Sequence, residues 1–293
     1  YRLHTGLRAA IGGDLPGAGL SSSAAVLVAY LLALSRVNGI DIQREEIAGL
    51  VQKAENDYVG VSSGRLDQSM ILFAERDHLT RVDCSDLNIE QVPHPPGWAD
   101  FRVLVAFSGV GRTLAGSRFN TRVEECHDAA RLLLKLAGRP VPARPVLSAV
   151  PHRVFERFVQ DLPRTERRRA THYFGEQRRV FSGVEAWRSG DLGRFGSLMN
   201  ASGASSIHNF ESGTAELVTL CEILQETPGV YGARFSGGGF GGSCVALIEP
   251  DAGVSVVEEV RRRYEAAHPL AAAEASFHVC LPGGSARVSD LEP

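Results

Sequence analysis

The stretch that most restricts the chain is "GDLPGAGLSSSAAV", residues 13–26. A loop carrying Gly17, Gly19 and the run Ser21, Ser22, Ser23 passes directly into an apolar segment. Such a loop presents backbone N–H groups at a helix start, where unsatisfied amides and the helix dipole both favour an anion. Glycine lets the backbone approach a phosphate closely, and serine hydroxyls hydrogen-bond phosphate or ligate Mg²⁺. On local chemistry alone two readings stand: a phosphate cradle, and an ordinary strand–helix turn with a serine cap. The commoner phosphate loops are excluded. Lysine occurs only at Lys53 and Lys135, neither after a glycine, so there is no Walker A loop. The third glycine of a dinucleotide fingerprint is absent, as are the strand lysine and HRD loop of a protein kinase.

Around this loop the pattern is mixed α+β. "YRLHTGLRAAIGGDLP" reads as a strand and a turn, and a helix follows from Ser22 to Val37 with Ser21 as N-cap and Asn38-Gly39 as its stop. That helix is apolar nearly all round, which predicts burial. An amphipathic helix capped by Asp41 comes next, then "SSGRLDQSMILFAE" as a loop entering a helix, then strands in "HLTRVDC" and "NIEQVPH". "HPPGWAD" reads as a linker, giving domains 1–95 and 96–293. Beyond it, "FRVLVAFSG" is a strand, and helices and strands alternate to the closing strand "EASFHVCLP".

A net charge of −3 favours neither nucleic acid nor an anionic membrane as partner, and no apolar run approaches the ~20 residues of a membrane span. No signal peptide is expected. The five cysteines have no CxxC spacing, so a zinc site or disulfide framework is not expected, and most should be buried small hydrophobes in a reducing cytoplasm.

Two further stretches carry chemistry. In "AENDYVGVSSGRLDQS", Glu55 ends one helix and Asp67 follows a glycine-containing loop. A turn between them can bring both carboxylates to one site, one for a divalent cation and one to orient a hydroxyl; two solvated acids at helix ends is the plainer alternative. In "GARFSGGGFGGSCVAL", glycine fills Gly237, Gly238, Gly239, Gly241 and Gly242. A hairpin turn needs one or two, so the excess points to backbone packed closely against a ligand or against the first loop.

Taken in this order, the three stretches resemble the GHMP kinases. "PGAGLSSSAA" is similar to the second motif of that family and "FSGGGFGGSCVAL" to the third. "AENDYVGVSSGRLDQS", "GVYGARFSGGGFGGS", "RVDCSDL" and "HVCLPGGSARV" resemble its galactokinase branch; "LVAFSGVGRTLAGSRFNTRVEEC" and "MNASGASSIHNFESG" resemble the galacturonokinases within it. The resemblance implies a two-domain fold: an S5 domain 2-like N-terminal domain, incomplete here, and a ferredoxin-like C-terminal domain, with the site between them. It implies an ATP- and Mg²⁺-dependent kinase for the anomeric hydroxyl of galactose or galacturonic acid, with no nucleic-acid or membrane partner.

The resemblance also assigns residues. Pro16, Gly17, Ala18, Gly19, Leu20, Ser21, Ser22 and Ser23 would embrace the ATP phosphates. Ser23 and Glu55 would hold Mg²⁺. Asp67 would face the sugar hydroxyl as base or electrostatic orienter, and Gly64, Phe119, Gly238 and Gly239 would line the sugar. Two departures stand out. The first motif of the family has no counterpart, so the sequence is expected to be part of a longer protein; a non-catalytic sugar and ATP sensor and an inert fragment are the rival readings. Phe119 replaces a sugar-contacting tyrosine, a loss of roughly 1–3 kcal/mol if the partner stays buried and unpaired, and Arg112 and Arg118 nearby can pair a C6 carboxylate or simply be solvated.

Overall fold

A computed structural model of the chain describes residues 1–13, 19–60, 63–97, 100–111 and 118–289. The chain divides into two units, Tyr1–His94 with the residues from Pro282 on, and Pro95–Leu281.

The first unit is built on three helices. α1 (Ser22–Asn38) ends where Gly39 turns left-handed at φ 62°, its N–H donating to Arg36 O and that of Ile40 to Ser35 O. α2 (Arg44–Ala54) runs on into a π-helical turn, Glu55–Val59. α3 (Leu66–Phe73) follows. Ala24 and Val28 of α1 pack on Ile47, Ala48 and Val51 of α2 and on Leu72 of α3, each larger side chain contributing about 1.5–3 kcal/mol of burial. The hairpin β1 (His78–Asp83) and β2 (Asn88–Pro93) pairs antiparallel, His78 opposite Pro93. From the far end of the chain, Ala286 joins the helical core and its N–H donates to Ile71 O at 2.7 Å.

Three expectations for this unit fail. α1 is not buried all round: α2 and α3 cover one side, and Tyr30 and Val37 are exposed. Its other side borders an apolar cleft of about 800 Å³ shared with Leu7, Ile11 and Leu20. Tyr1–Gly13 is not a strand. The Asn38 side chain takes its backbone hydrogen bonds instead, accepting from His4 and Thr5 N–H and donating to Thr5 O. Gln43, not Asp41, stands at the N-cap of α2 and makes no side-chain cap; the first turn gains its favourable charge from Glu45 and Glu46.

The second unit holds β3 (Arg102–Phe107), α4 (Phe119–Leu136), α5 (His152–Phe158), α6 (Arg164–Arg188), α7 (Leu192–His208), α8 (Ala215–Glu226), β4 (Val230–Phe235), β5 (Ser243–Ile248), α9 (Gly253–Ala267), α10 (Pro269–Ala272) and β6 (Ser276–Cys280). The sheet is antiparallel in the order β4-β5-β3-β6. Reduced to strands and the helices packed on them, this is the β-α-β-β-α-β ferredoxin-like plan, with α4 to α7 inserted before α8. Leu104, Phe235, Ile248, Leu220 and Val260 form the main core between sheet and helices, and α4, α5 and α6 enclose a second one around Leu133, Leu162 and Phe174. α5 carries no capping signal at Pro151 and was not legible in the sequence. The cysteines are less buried than expected. Only Cys221 and Cys244 are buried, while Cys126 and Cys280 are half-buried and Cys84 is exposed, because Cys84 falls in the β1–β2 turn. No helix among the described residues is long and apolar enough to cross a membrane.

Candidate active site

In the first unit the candidate residues gather around the start of α1. Ser21 occupies its cap position, but not as a cap. Its backbone is left-handed at φ 56°, ψ 40°, and its side chain bonds no amide of the helix. Its Oγ donates to Asp67 Oδ2 instead. Two residues on, Ser23 Oγ donates to Glu55 Oε1 at 2.8 Å. The serine run thus meets both candidate carboxylates, one through each alternate serine.

Each carboxylate is placed by its helix. Glu55 opens the π-helical turn, whose wider i→i+5 spacing closes with Gly60 N–H donating to Glu55 O. Its carboxylate is buried, and its second oxygen accepts from Ser63 Oγ at 3.1 Å. Asp67 lies exposed in the first turn of α3, where the helix dipole favours a negative charge. Between them runs a polar web that the sequence reading missed. Gln52 Nε2 donates to Ser63 O and Gln52 Oε1 accepts from Arg65 Nε at 2.6 Å. Asn56 Oδ1 accepts from Ser63 N–H, and Gln68 Nε2 donates to Gly64 O at 3.0 Å. Gln68 is buried, and the density of amide and hydroxyl residues in "SSGRLDQS" is the unused signal from which such a web can be read. Gly64 has open space where a side chain would stand. Gly19 and Leu20 lead into α1, and Leu20 and Ser22 border the apolar cleft. Pro16, Gly17, Ala18 and Arg112 lie outside the described residues.

The donor chemistry here fits a hard cation. Among the described residues Glu55 is partnered only by the hydroxyls of Ser23 and Ser63, so a buried carboxylate has no positive charge beside it. A serine hydroxyl and a carboxylate are oxygen ligands of the kind Mg²⁺ takes, together with phosphate oxygens and water.

In the second unit, Phe119 opens α4 and its ring lies over Gly238, 3.1 Å from where a Cβ would be. Gly239 has φ 77°, and a Cβ there would stand 2.6 Å from Phe235 Cε2 and 3.1 Å from Gly213 N, so no other residue fits. The glycine turn is tied to the end of β3: Ser108 N–H and Oγ both donate to Gly242 O, and Gly242 N–H donates to Val110 O. Ser108 O in turn accepts from Tyr264 OH at 2.7 Å. The close approaches these glycines permit are therefore to the unit's own backbone and rings. Arg118 is exposed in the turn before α4.

A serine-rich helix entry set against two carboxylates, joined in one chain to a ferredoxin-like unit with a glycine turn, is the layout of a small-molecule kinase. Comparison with known proteins agrees. Residues 1–75 match the GHMP kinases N terminal domain and residues 184–266 the GHMP kinases C terminal domain. A galacturonokinase of Arabidopsis thaliana is 43% identical over 94% of this chain and 66% of its own length. A galactokinase of Roseiflexus sp. (strain RS-1) is 37% identical over 96% of this chain and 70% of its own. The crystal structure of Lactococcus lactis galactokinase complexed with galactose superposes with a TM-score of 0.81 at 32% identity, covering 92% of this chain and 67% of that one. The chain belongs to the GHMP kinase family, and it spans about two thirds of the length of these relatives.

Proposed function

We propose that the protein is an ATP-dependent sugar 1-kinase that phosphorylates the anomeric hydroxyl of galactose or galacturonic acid. The observation that carries this reading is the double pairing of one serine run with two carboxylates, Ser21 with Asp67 and Ser23 with Glu55. The relatives supply the sugar: one is a galacturonokinase, and another was solved with galactose.

The chemistry follows from the placement. The amide-rich start of α1, with Gly19 to Ser23, holds the ATP phosphates. Ser23 and Glu55 would hold Mg²⁺, whose chemistry there would be to neutralise phosphate charge. Asp67 takes the proton of the anomeric hydroxyl or orients that hydroxyl beside Gly64, so that the sugar oxygen attacks the γ-phosphorus in line while the γ-phosphorus–oxygen bond to ADP breaks and ADP leaves. Phe119, Gly238 and Gly239 are the proposed sugar contacts of the second unit. The apolar cleft beside Leu20 and Ser22 suits a flat heterocycle such as adenine. No covalent enzyme intermediate is needed, because positioning and charge neutralisation lower the barrier of phosphoryl transfer. Cysteines that form no disulfide fit a reducing cytoplasm.

The test is incubation of the protein, in its longest natural form, with ATP, Mg²⁺ and each sugar, followed by phosphorus NMR. The expected product is a sugar 1-phosphate. Sugar binding without turnover would instead make the protein a sensor, and turnover of neither sugar nor any related aldose would overturn the substrate assignment.

A further inference from the structure

The second unit contains a charge that the proposed chemistry does not use. Arg169 of α6 is 1% exposed. Its Nε donates to Glu125 Oε2 at 2.6 Å, its Nη1 to Asn209 O at 2.5 Å and its Nη2 to Glu211 Oε2 at 2.6 Å. The same carboxylates are gripped again. Arg122 Nη1 donates to both oxygens of Glu125 at 2.9 Å, and Arg168 Nη1 donates to Glu211 Oε1 at 2.5 Å. The Arg169 hydrogen bond, against some desolvation, holds the Glu211 carboxyl below its usual range.

Burying an arginine this deeply has a large desolvation cost, and an apolar side chain of similar volume often serves stability as well. The backbone is under demand at the same place: Glu211 stands at φ 54°, a region that L residues with a Cβ avoid. What the clamp achieves is geometric. At one end it fixes α4, whose first residue Phe119 covers Gly238. At the other it fixes the loop after α7, where Gly213, two residues beyond Glu211, backs Gly239. The two surfaces on which the glycine turn rests are thus tied to one guanidinium.

We propose that Arg169 is a positioning residue: through Glu125 and Glu211 it sets the spacing of Phe119 and Gly213, and so the pose of Gly238 and Gly239. Its consequence for catalysis rests on the sugar-kinase reading, in which those residues meet the sugar. A lysine cannot replace it, because one ammonium lacks the planar fork that reaches two carboxylates and a carbonyl together.

Three variants test this. Arg169→Lys removes the fork. Glu211→Ala cuts the loop tether at a residue that is 39% exposed, so the fold survives if the first variant does not. Each should raise the KM for sugar about tenfold, as small misplacements of positioning groups do, with the KM for ATP within about twofold. Glu211→Gln, which keeps an acceptor, should recover part of the loss. If the folded variants keep both KM values and only melt earlier, Arg169 is a stabilising residue and the proposal fails. Amide exchange decides the clamp independently of the reaction. In Glu211→Ala the amides of Gly237 to Gly242 should exchange at least about tenfold faster while β6 stays protected. Unchanged exchange there would overturn the clamp, whereas a parent protein that turns over no sugar would count against the function alone.

Discussion

The two units hold their candidate site residues by opposite means. In the first, Asp67 and Glu55 are held by serine hydroxyls, over a core of six buried apolar residues among those described. In the second, Phe119, Gly238 and Gly239 are held by backbone contacts and close packing beside a fifteen-residue core. The proposed chemistry needs charge to remain available in the first, and neutral hydroxyl partners orient a carboxylate without cancelling it. Shape must be fixed in the second, and bare backbone in a dense surround fixes shape best. A carboxylate locked to arginine, such as Glu125 or Glu211, is of no use as a base or a metal ligand, and those two serve as structure.

The contrast can be broken in several places. The largest effect is expected at Asp67. Asp67→Ala should lower turnover about a thousandfold, the range for general acid–base groups, while ATP still binds; near-normal turnover in a steady-state assay would remove it from the chemistry. Core truncations come next. Leu72→Ala and Leu220→Ala should each cost about 2–5 kcal/mol. Hydrogen exchange should show the first loosening α1 to α3 alone and the second loosening the sheet alone, and joint loss of protection would mean that the units are not separate. Glu55→Gln should raise the Mg²⁺ concentration for half-maximal rate at least about tenfold, and an unchanged Mg²⁺ titration would exclude Glu55 as a ligand.

The fourth effect is one of pH and belongs to the second unit. Burial holds the His172 imidazole down at about 4; the Arg179 and Arg234 charges add to this and Glu176 opposes it. Between pH 6.5 and 4 the unfolded chain binds a proton that the folded one refuses, so stability is complete above about 6.5 and falls as pH drops towards 4, by roughly 1–3 kcal/mol. Urea midpoints at pH 7 and pH 4.5 should draw closer in His172→Asn than in the parent, and equal spacing in both would show that His172 does not contribute. The smallest effect separates the two jobs of Ser21. Glycine accepts φ 56° and alanine does not, so Ser21→Gly should be about 1 kcal/mol more stable than Ser21→Ala. Both lose the hydroxyl that meets Asp67 and should lose the same few-fold in turnover. A difference in turnover between them would trace the defect to the backbone.

Much of this was legible because it is local. Gly39 stops α1, β3 reads as a continuous apolar run, and the glycine cluster marks a turn, all from neighbouring residues. What escaped depends on distant partners. The left-handed Ser21 and its bond to Asp67 span 46 positions of sequence, and local capping rules placed Ser21 on its own helix instead. The exposure of α1 depends on what packs against it, which an all-round apolar pattern does not encode. The clamp around Arg169 joins residues from three elements, and arginines in a helix rich in arginine look solvated until their partners are known.

The π-helical turn at Glu55–Val59 makes one stretch of the molecule sensitive to counting. An α-helix advances about 100° per residue, and a π turn absorbs one residue more per turn than an α turn does. Deleting Asp57 would let α2 continue as α-helix with the chain beyond the cut close to its present phase, whereas adding one residue would carry that chain roughly 100° out of phase. Asn56 and Glu55, which both meet Ser63, would then receive that loop from the wrong side. Substitutions at the exposed Asp57 and Tyr58 alter only surface, but one residue added there misaligns the path to Asp67.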